Sequence, residues 1–539
     1  MPFFKKHIFS ISMLLLLAAA LTLGIYAIAN YHSTTAPTQN VTETRNLQPG
    51  DRNQQPELAN QAPRGQSPDQ NATHPMAPSG GRMGGGMTSG MTSGGSKYAP
   101  QLIAYAIIFL VLFITAYYLL TYKKLKIHPG HEKILILTLL GVGLFLRISA
   151  ATLMDGHPFD LSLFRNWATA AANNLFQVYA NSRSIDYPPL YMYVLYVVGK
   201  LAGITALSPY FTLLLKLPSI LADIATSLLI YKLARKYLAT EISLLLSAFY
   251  IFNPAVLINS TFWGQVDSFF TLIVTAAVFL LSEKKFGSAV ALFTAAVLMK
   301  PQGIIFLPVL FFELVRQKNL KSFVTAAVFA LSTAVIIILP FSLQQGGLWI
   351  FKLFANTLAE YPYASVNAFN LFSLLGANYT KDTATSFLLS YHSWGFIFIA
   401  ATTAFSWLIY IKGNSRAFAA VASLLQIAGV FTLSSRIHER YLFPAVALSI
   451  LAFIYLKDKR LLLLAAGFSA TVYINTHFVL YWTSSGVNSA SYSPILIITS
   501  LLNVLLFGYL VKILYDIAIK KKTCAFRYQE TLCHMQNLQ

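Results

Sequence analysis

Charge is scarce in this sequence: only 11% of its 539 residues are Asp, Glu, Lys or Arg. A soluble domain carries about 25%, because its surface must face water, so an ordinary soluble fold is excluded. Acidic residues are the scarcest, 19 Asp and Glu against 39 Lys and Arg, for a net charge of +20. Cysteine occurs twice, at Cys524 and Cys533 near the C-terminus. Two such residues make neither a disulfide framework nor a zinc pattern. Between Tyr31 and Tyr98 there is no Phe, Trp or Tyr. That stretch is rich in Gln, Asn, Pro, Gly, Ser and Thr and has too little apolar surface to offset the entropy of ordering.

What the chain does hold is apolar residues, 56% of the total, at a mean hydropathy of +0.59. They come in runs of the length that crosses a hydrocarbon core, about 20 residues of helix. Helices are the expected form, because lipid cannot satisfy the backbone of anything else. The fold class read from this is all-α, a polytopic transmembrane helical protein with some 13–15 membrane spans. The positive charge does not imply nucleic acid. It sits in short loops between apolar runs, such as Lys123–Lys126, Arg235–Lys236, Lys284–Lys285 and Lys520–Lys522, where the positive-inside rule puts it.

Four regions follow. Residues 1–30 begin with Lys5 and Lys6 and run apolar, as a signal anchor or a signal peptide does; Ala27-Ile28-Ala29 resembles a cleavage site. Residues 31–98 read as a disordered external linker. Its methionines, without His or Cys clusters, do not make a copper site. Residues 99–520 form the multi-span domain, and 521–539 a cytoplasmic tail. With the basic loops inside, four polar segments lie outside: 153–187, 260–267, 342–393 and 434–441. Three apolar runs separate the first two of these, where an even number is required. One run between 188 and 259 must therefore be re-entrant, or one loop lies on the opposite side.

Polar residues near a membrane interior are costly and mark function. In the first external segment Asp160, Phe164 and Trp167 share one face of an interfacial helix. Asp155, Asp186 and Tyr187 flank it, either as solvated loop residues and interfacial anchors or as site groups. The second segment contains Trp263, Gln265 and Asp267; Asp267 opens a span and serves as cap, as site wall, or as both. Lys300-Pro301-Gln302 interrupts one long apolar stretch. The proline breaks the helix, and the lysine either binds phosphate as a point charge or snorkels to the interface. In the third segment Asn367 and Asn370 alternate with aromatics, a pattern that suits a sugar as well as it suits helix capping. The fourth, Ser434-Ser435-Arg436-Ile437-His438-Glu439-Arg440-Tyr441, sets four ionisable residues in five positions. Read as a helix, it places Arg436 and Arg440 on one face to grip a phosphate, with Glu439 orienting one of them.

Taken in order, these stretches resemble the GT-C superfamily of integral-membrane glycosyltransferases. The likeness is greatest to bacterial proteins related to GPI mannosyltransferase 2. It rests on Asp160-x-x-x-Phe164-x-x-Trp167, Asp186-Tyr-Pro-Pro-Leu190, Phe252-Asn-Pro254, Trp263-Gly-Gln-Val-Asp267-Ser268, Lys300-Pro-Gln302, Asn367-Ala-Phe-Asn370 and Arg436–Pro444. The resemblance implies a membrane glycosyltransferase, mannosyltransferase-like, that moves a hexose from a polyprenyl-phosphate carrier to an acceptor hydroxyl with inversion. It implies a general base in the first external loop, at Asp160 with Asp155 in reserve. Arg436, His438, Arg440 and Lys300 would hold the donor phosphate. Trp167, Asp186, Tyr187, Gln265, Asp267, Asn367 and Asn370 would line the substrate site. No cofactor and no metal are expected, and the acceptor is a glycan, a lipid or a protein. The site would lie on the extracytoplasmic face of the cell membrane. Two other classes compete: a lipid-linked sugar flippase or transporter, which would carry midplane charges and an internal repeat, and an inactive lipid-binding scaffold.

Overall fold

The computed structural model describes residues 2–31, 96–182, 185–483 and 489–526. Nearly all of the external linker, and the tail beyond 526 with Cys533, therefore lie outside the described residues. Helix dominates the rest; among the described residues the only strands are Thr385–Ser386 and Leu389–Ser390, paired antiparallel. Among the described residues nine helices are long and apolar enough to cross a membrane, so the protein is an all-α, multi-pass membrane protein.

In chain order the helices begin with α1 (Pro2–Ala29), α2 (Ala99–Thr121), α3 (Glu132–Ala151), α4 (Pro158–Asn173), α5 (Leu190–Ala202) and α6 (Phe211–Tyr237). Next come α7 (Thr240–Ile251), α8 (Asp267–Ser282), α9 (Phe286–Met299), α10 (Leu307–Gln317) and α11 (Leu320–Ser342). The last are α12 (Trp349–Ala359), α13 (Tyr391–Gly413), α14 (Phe418–Leu433), α15 (Pro444–Leu456), α16 (Arg460–Thr483) and α17 (Pro494–Ala518). Burial sorts them into layers. Every residue of α14 from Phe418 to Thr432 is buried, as is α15 from Pro444 to Ile454. Helices that are apolar all round belong at the centre of a bundle. By contrast α2 and α11 leave Leu112, Leu331 and Ile336 open on their outer faces, the lipid-facing surface of a membrane bundle.

The bundle has two chemically distinct ends. At one, ion pairs tie neighbouring helix ends together: Arg235–Glu132, Lys236–Glu283, Arg416–Glu313 and Arg460–Asp516. At the other, the four polar segments named above converge. His157 donates its backbone N–H to the carbonyl of Trp263, and Gln302 its side-chain amide to the carbonyl of Tyr441.

This arrangement also settles the odd run. Helix α5 has 13 residues and so is about 20 Å long, short for a span. It leaves the polar end beside Tyr187 and returns to it. Tyr210, just past α5, stacks on Tyr31 at 6.1 Å, and Tyr31 donates to Asp155 at 3.2 Å. At the start of α6, Lys216 donates to the carbonyls of Ala151 and Met154. Both ends of the run 188–206 thus lie near the polar end, and α5 packs against α4. The two meet at Gly199, where a Cβ would fall 2.2 Å from the carbonyl oxygen of Ala168.

Candidate active site

A cavity of about 520 Å³ opens at the polar end. Four of the chain segments around it carry the groups closest to Asp160, and each is placed by its own local chemistry. Helix α4 starts at Pro158, with the His157 ring accepting the backbone N–H of Asp160 as a cap. It buries Phe164 and Trp167 and turns Asp160 toward the cavity. After α7 the chain passes through a π-helical turn, Ile258–Trp263, that ends at Gly264 with φ +83°. Only glycine adopts that conformation without strain. It turns the chain so that Trp263 and Gln265 both reach Asp160. The break after α9 works as the sequence predicts: Lys300 is extended, and Pro301 starts a 3-10 turn to Phe306. The fourth segment, 434–443, joins α14 to α15.

Asp160 is the centre of the arrangement. Its Oδ2 accepts hydrogen bonds from Trp263 Nε1 and Gln265 Nε2, both at 2.6 Å, and lies 3.5 Å from Arg440 Nη1. Its Oδ1 accepts none among the described residues. Burial opposes ionisation of this carboxyl, but Arg440, His157 and the two donors outweigh it and hold it below the usual range. His157 stacks on Trp263 at 4.9 Å, and burial lowers its own pKa. The imidazole is thus neutral near pH 7 and forms no ion pair with Asp160.

Around Asp160 the charges interlock. Arg440 lies over the ring of Trp263 at 4.5 Å, contacts Glu439 at 2.5 Å, and stands 3.6 Å from Asp267. Its Nη2 has no partner among the described residues. Lys300 pairs with Asp267, and its ammonium lies 5.8 Å from the ring centre of Tyr187 and 5.6 Å from that of Tyr441. Asp267 is 1% exposed and also accepts from Asn259. It stands behind the two cations and is not part of the cavity wall. Burial pushes Glu439 upward against the pull of Arg440. Three carboxyl groups thus share two cations.

Several sequence expectations are corrected here. Segment 434–443 is not helical, and Arg436 takes φ +61°. Arg436 and Arg440 therefore do not share a helical face. Arg440 points to Asp160, whereas Arg436 donates to Asp382 at 2.7 Å and to the carbonyl of Leu358. His438 lines the cavity but carries no charge: burial, with Arg440 and Lys300 nearby, brings its pKa down to about 3. Asp155 sits outside the cavity, beside Tyr31. Asn367 and Asn370 are structural. Asn367 bonds Asn378 and the backbone of Ala490, and Asn370 caps a turn and donates to the carbonyl of Ser434. Asp267 is the first residue of α8, and its cap position is occupied by Val266. Trp167, Asp186, Tyr187, Gln265, Lys300, Arg436 and Arg440 all line the cavity.

Sequence reasoning missed Thr357, Glu360 and His392, which line the cavity, and Asp382, which holds Arg436 and His392 from behind. Glu360 matters most. Burial, then the charge of Glu360, pushes the Asp186 carboxyl up to about 7. Away from the charges the wall becomes apolar, through Ile304, Ile305, Pro308, Phe396, Ile399 and Val430. Ile304 and Phe396 are also exposed at the surface of the bundle. No protein-family model matches the sequence, and no curated protein matches it.

Proposed function

We propose that this protein transfers a hexose, mannose in the first instance, from a polyprenyl-phosphate carrier to an acceptor hydroxyl, with inversion. The observation that carries the reading is the state of Asp160. One oxygen is fixed by two donors at 2.6 Å, and the other has no hydrogen-bond partner among the described residues. The whole group faces a cavity whose walls run from cationic to apolar. A hydrocarbon tail fits the apolar wall, and a phosphate fits between Arg440 and Lys300.

The chemistry follows from the roles of these residues. Asp160 Oδ1 accepts the proton of the acceptor hydroxyl as its oxygen attacks the anomeric carbon of the sugar. The bond from that carbon to the phosphate oxygen breaks, and the carrier leaves as a phosphate anion. A stable anion needs no general acid, only positive charge where its own charge develops. Arg440 offers Nη2 there, and Lys300 offers the hydrogens not used by Asp267. If the basic end of the bundle faces the cytoplasm, as the positive-inside rule requires, the site works on the outer face of the cell membrane.

The test is sugar-dependent release of the carrier phosphate by the purified protein. Short-chain polyprenyl-phosphate mannose, then glucose, would be supplied with a membrane extract as acceptor. Wild type releases the carrier, and Asp160→Asn slows release by about 10²–10⁴-fold, the contribution of a positioned base. Tight carrier binding without release from any donor would sink the transferase reading and favour a flippase or scaffold.

A further inference from the structure

Below the site lies a pair of charges that the proposed chemistry does not use. Arg147 of α3 and Asp223 of α6 are both wholly buried, with Arg147 Nε 3.0 Å from Asp223 Oδ2. Neither lines the cavity. Two charges inside a membrane bundle are costly unless their hydrogen bonds are fixed; Arg147 also donates to the carbonyl of Gly143 in its own helix, and from Asp223 the bonds lead toward the site. Asp223 Oδ2 also accepts the hydroxyl of Ser260 at 2.6 Å. Ser260 lies in the π-helical turn 258–263, three residues before Trp263 and five before Gln265. A second hydroxyl holds the same turn from α6: Ser219 donates to the carbonyl of Gln265 at 2.7 Å.

We propose that Arg147, Asp223 and Ser260 are positioning residues for the Asp160 carboxylate, acting through the turn that carries Trp263 and Gln265. Arg147 fixes Asp223, Asp223 fixes the Ser260 hydroxyl, and Ser260 with Ser219 sets the turn. The turn then aims both side-chain donors at one oxygen of Asp160. None of the three touches the cavity, so none meets substrate. A π-helical turn is a strained local form that recurs at functional sites. The buried pair supplies a rigid support for it on the side away from the cavity. Donors to Asp160 must be held to a fraction of an ångström for the base to keep its free oxygen toward the acceptor.

That role presupposes Asp160 as the general base of the transfer proposed above, so the test uses one readout that needs no turnover. Dicyclohexylcarbodiimide adds to protonated buried carboxyl groups, and mass spectrometry of full-length protein then gives the pH midpoint of labelling at Asp160. Arg147→Met would strand the Asp223 carboxylate and risks the fold, so the substitutions are made at the hydroxyls. In Ser260→Ala and in Ser219→Ala, Asp160 labels at a midpoint higher by about one pH unit as its donors loosen. Their kcat falls at least about tenfold with donor KM unchanged, and Ser260→Thr restores both. An unmoved midpoint in both alanine variants overturns the positioning role, whether or not kcat falls. If wild type transfers no sugar while the midpoints still shift, the positioning chain stands and the transferase reading fails.

Discussion

At the scale of single residues, the charge cluster is a set of mutual dependencies. Lys300 and Asp267 are nearly unexposed, at 5% and 1% of their side chains. Removing one partner of such a pair strands the other, a loss of about 3–5 kcal/mol, whereas replacing both by apolar residues is often neutral. Lys300→Met should therefore lower the thermal midpoint in detergent, and Lys300→Met with Asp267→Leu should recover most of it. Carrier release should stay lost in both, because the phosphate has lost its cation. Asp186 carries a different dependence. Its carboxyl, pushed up to about 7 by burial and then by Glu360, binds a proton in the folded protein that it has released in the unfolded chain between about pH 4 and 7. Stability from this group is thus present below about pH 4 and declines as pH rises through 7. Asp186→Asn should unfold at nearly the wild-type temperature at about pH 4 and above it at about pH 8. A gap that stays constant across that range would show that the raised carboxyl is not Asp186.

These residues also mark what was legible in the sequence. Asp160, Gln265, Lys300 and Arg440 stand out because a polar group in an apolar chain is conspicuous, and all four meet in one cavity. Glu360 follows α12, Asp382 lies between α12 and α13, and His392 is the second residue of α13, positions where nothing in the sequence separates a site residue from a solvated one. Asn367 and Asn370 read equally well as sugar ligands or caps; folding uses Asn370 as a cap and Asn367 to tie Asn378 and Ala490 together. Arg436 and Arg440 sit at helical spacing, but nothing in that spacing reveals that 434–443 is a turn. Lipid-facing and buried helices could not be told apart from hydropathy alone, since both are apolar.

At the scale of elements, the hairpin of α4 and α5 decides where Asp160 stands. The two helices approach so closely that only a hydrogen fits at Gly199, against the backbone of Ala168. Backbone cannot yield as a side-chain tip does, so Gly199→Val must push α4 and α5 apart. We expect a loss of about 1–3 kcal/mol from overpacking, together with a loss of carrier release larger than the change in stability explains. Gly203→Ala is the control. It lies at the same helix end, where a Cβ would meet nothing closer than 3.4 Å, and should leave both release and stability close to wild type. If the two substitutions behaved alike, the α4–α5 contact would not be what places Asp160.

At the scale of the whole molecule, everything said of the site depends on which end of the bundle faces which compartment. The two ends differ in charge. One gathers ion-paired loops after α6, α8, α13 and α15, and the other gathers the cavity and the segments around it. The path of α5 makes a sharp statement about sidedness. If the run 188–206 crossed the membrane, Thr205 would lie on the side opposite Asp160. If α5 returns to the polar end, as the Tyr210–Tyr31 stack and the Lys216 contacts indicate, both lie on one side. Single cysteines at three exposed positions resolve this, in a background with Cys524 and Cys533 replaced by serine. They are Lys381→Cys at the cavity end, Thr205→Cys after α5, and Lys284→Cys between α8 and α9. A membrane-impermeant maleimide added to intact cells should label Lys381→Cys and Thr205→Cys and spare Lys284→Cys until the membrane is opened. Labelling of Lys284→Cys alone would turn the molecule over and put the cavity in the cytoplasm, where a carrier displayed outside could not reach Asp160. Thr205→Cys and Lys381→Cys reacting from opposite sides would instead show that α5 crosses, and would undo the α4–α5 hairpin on which the site is built.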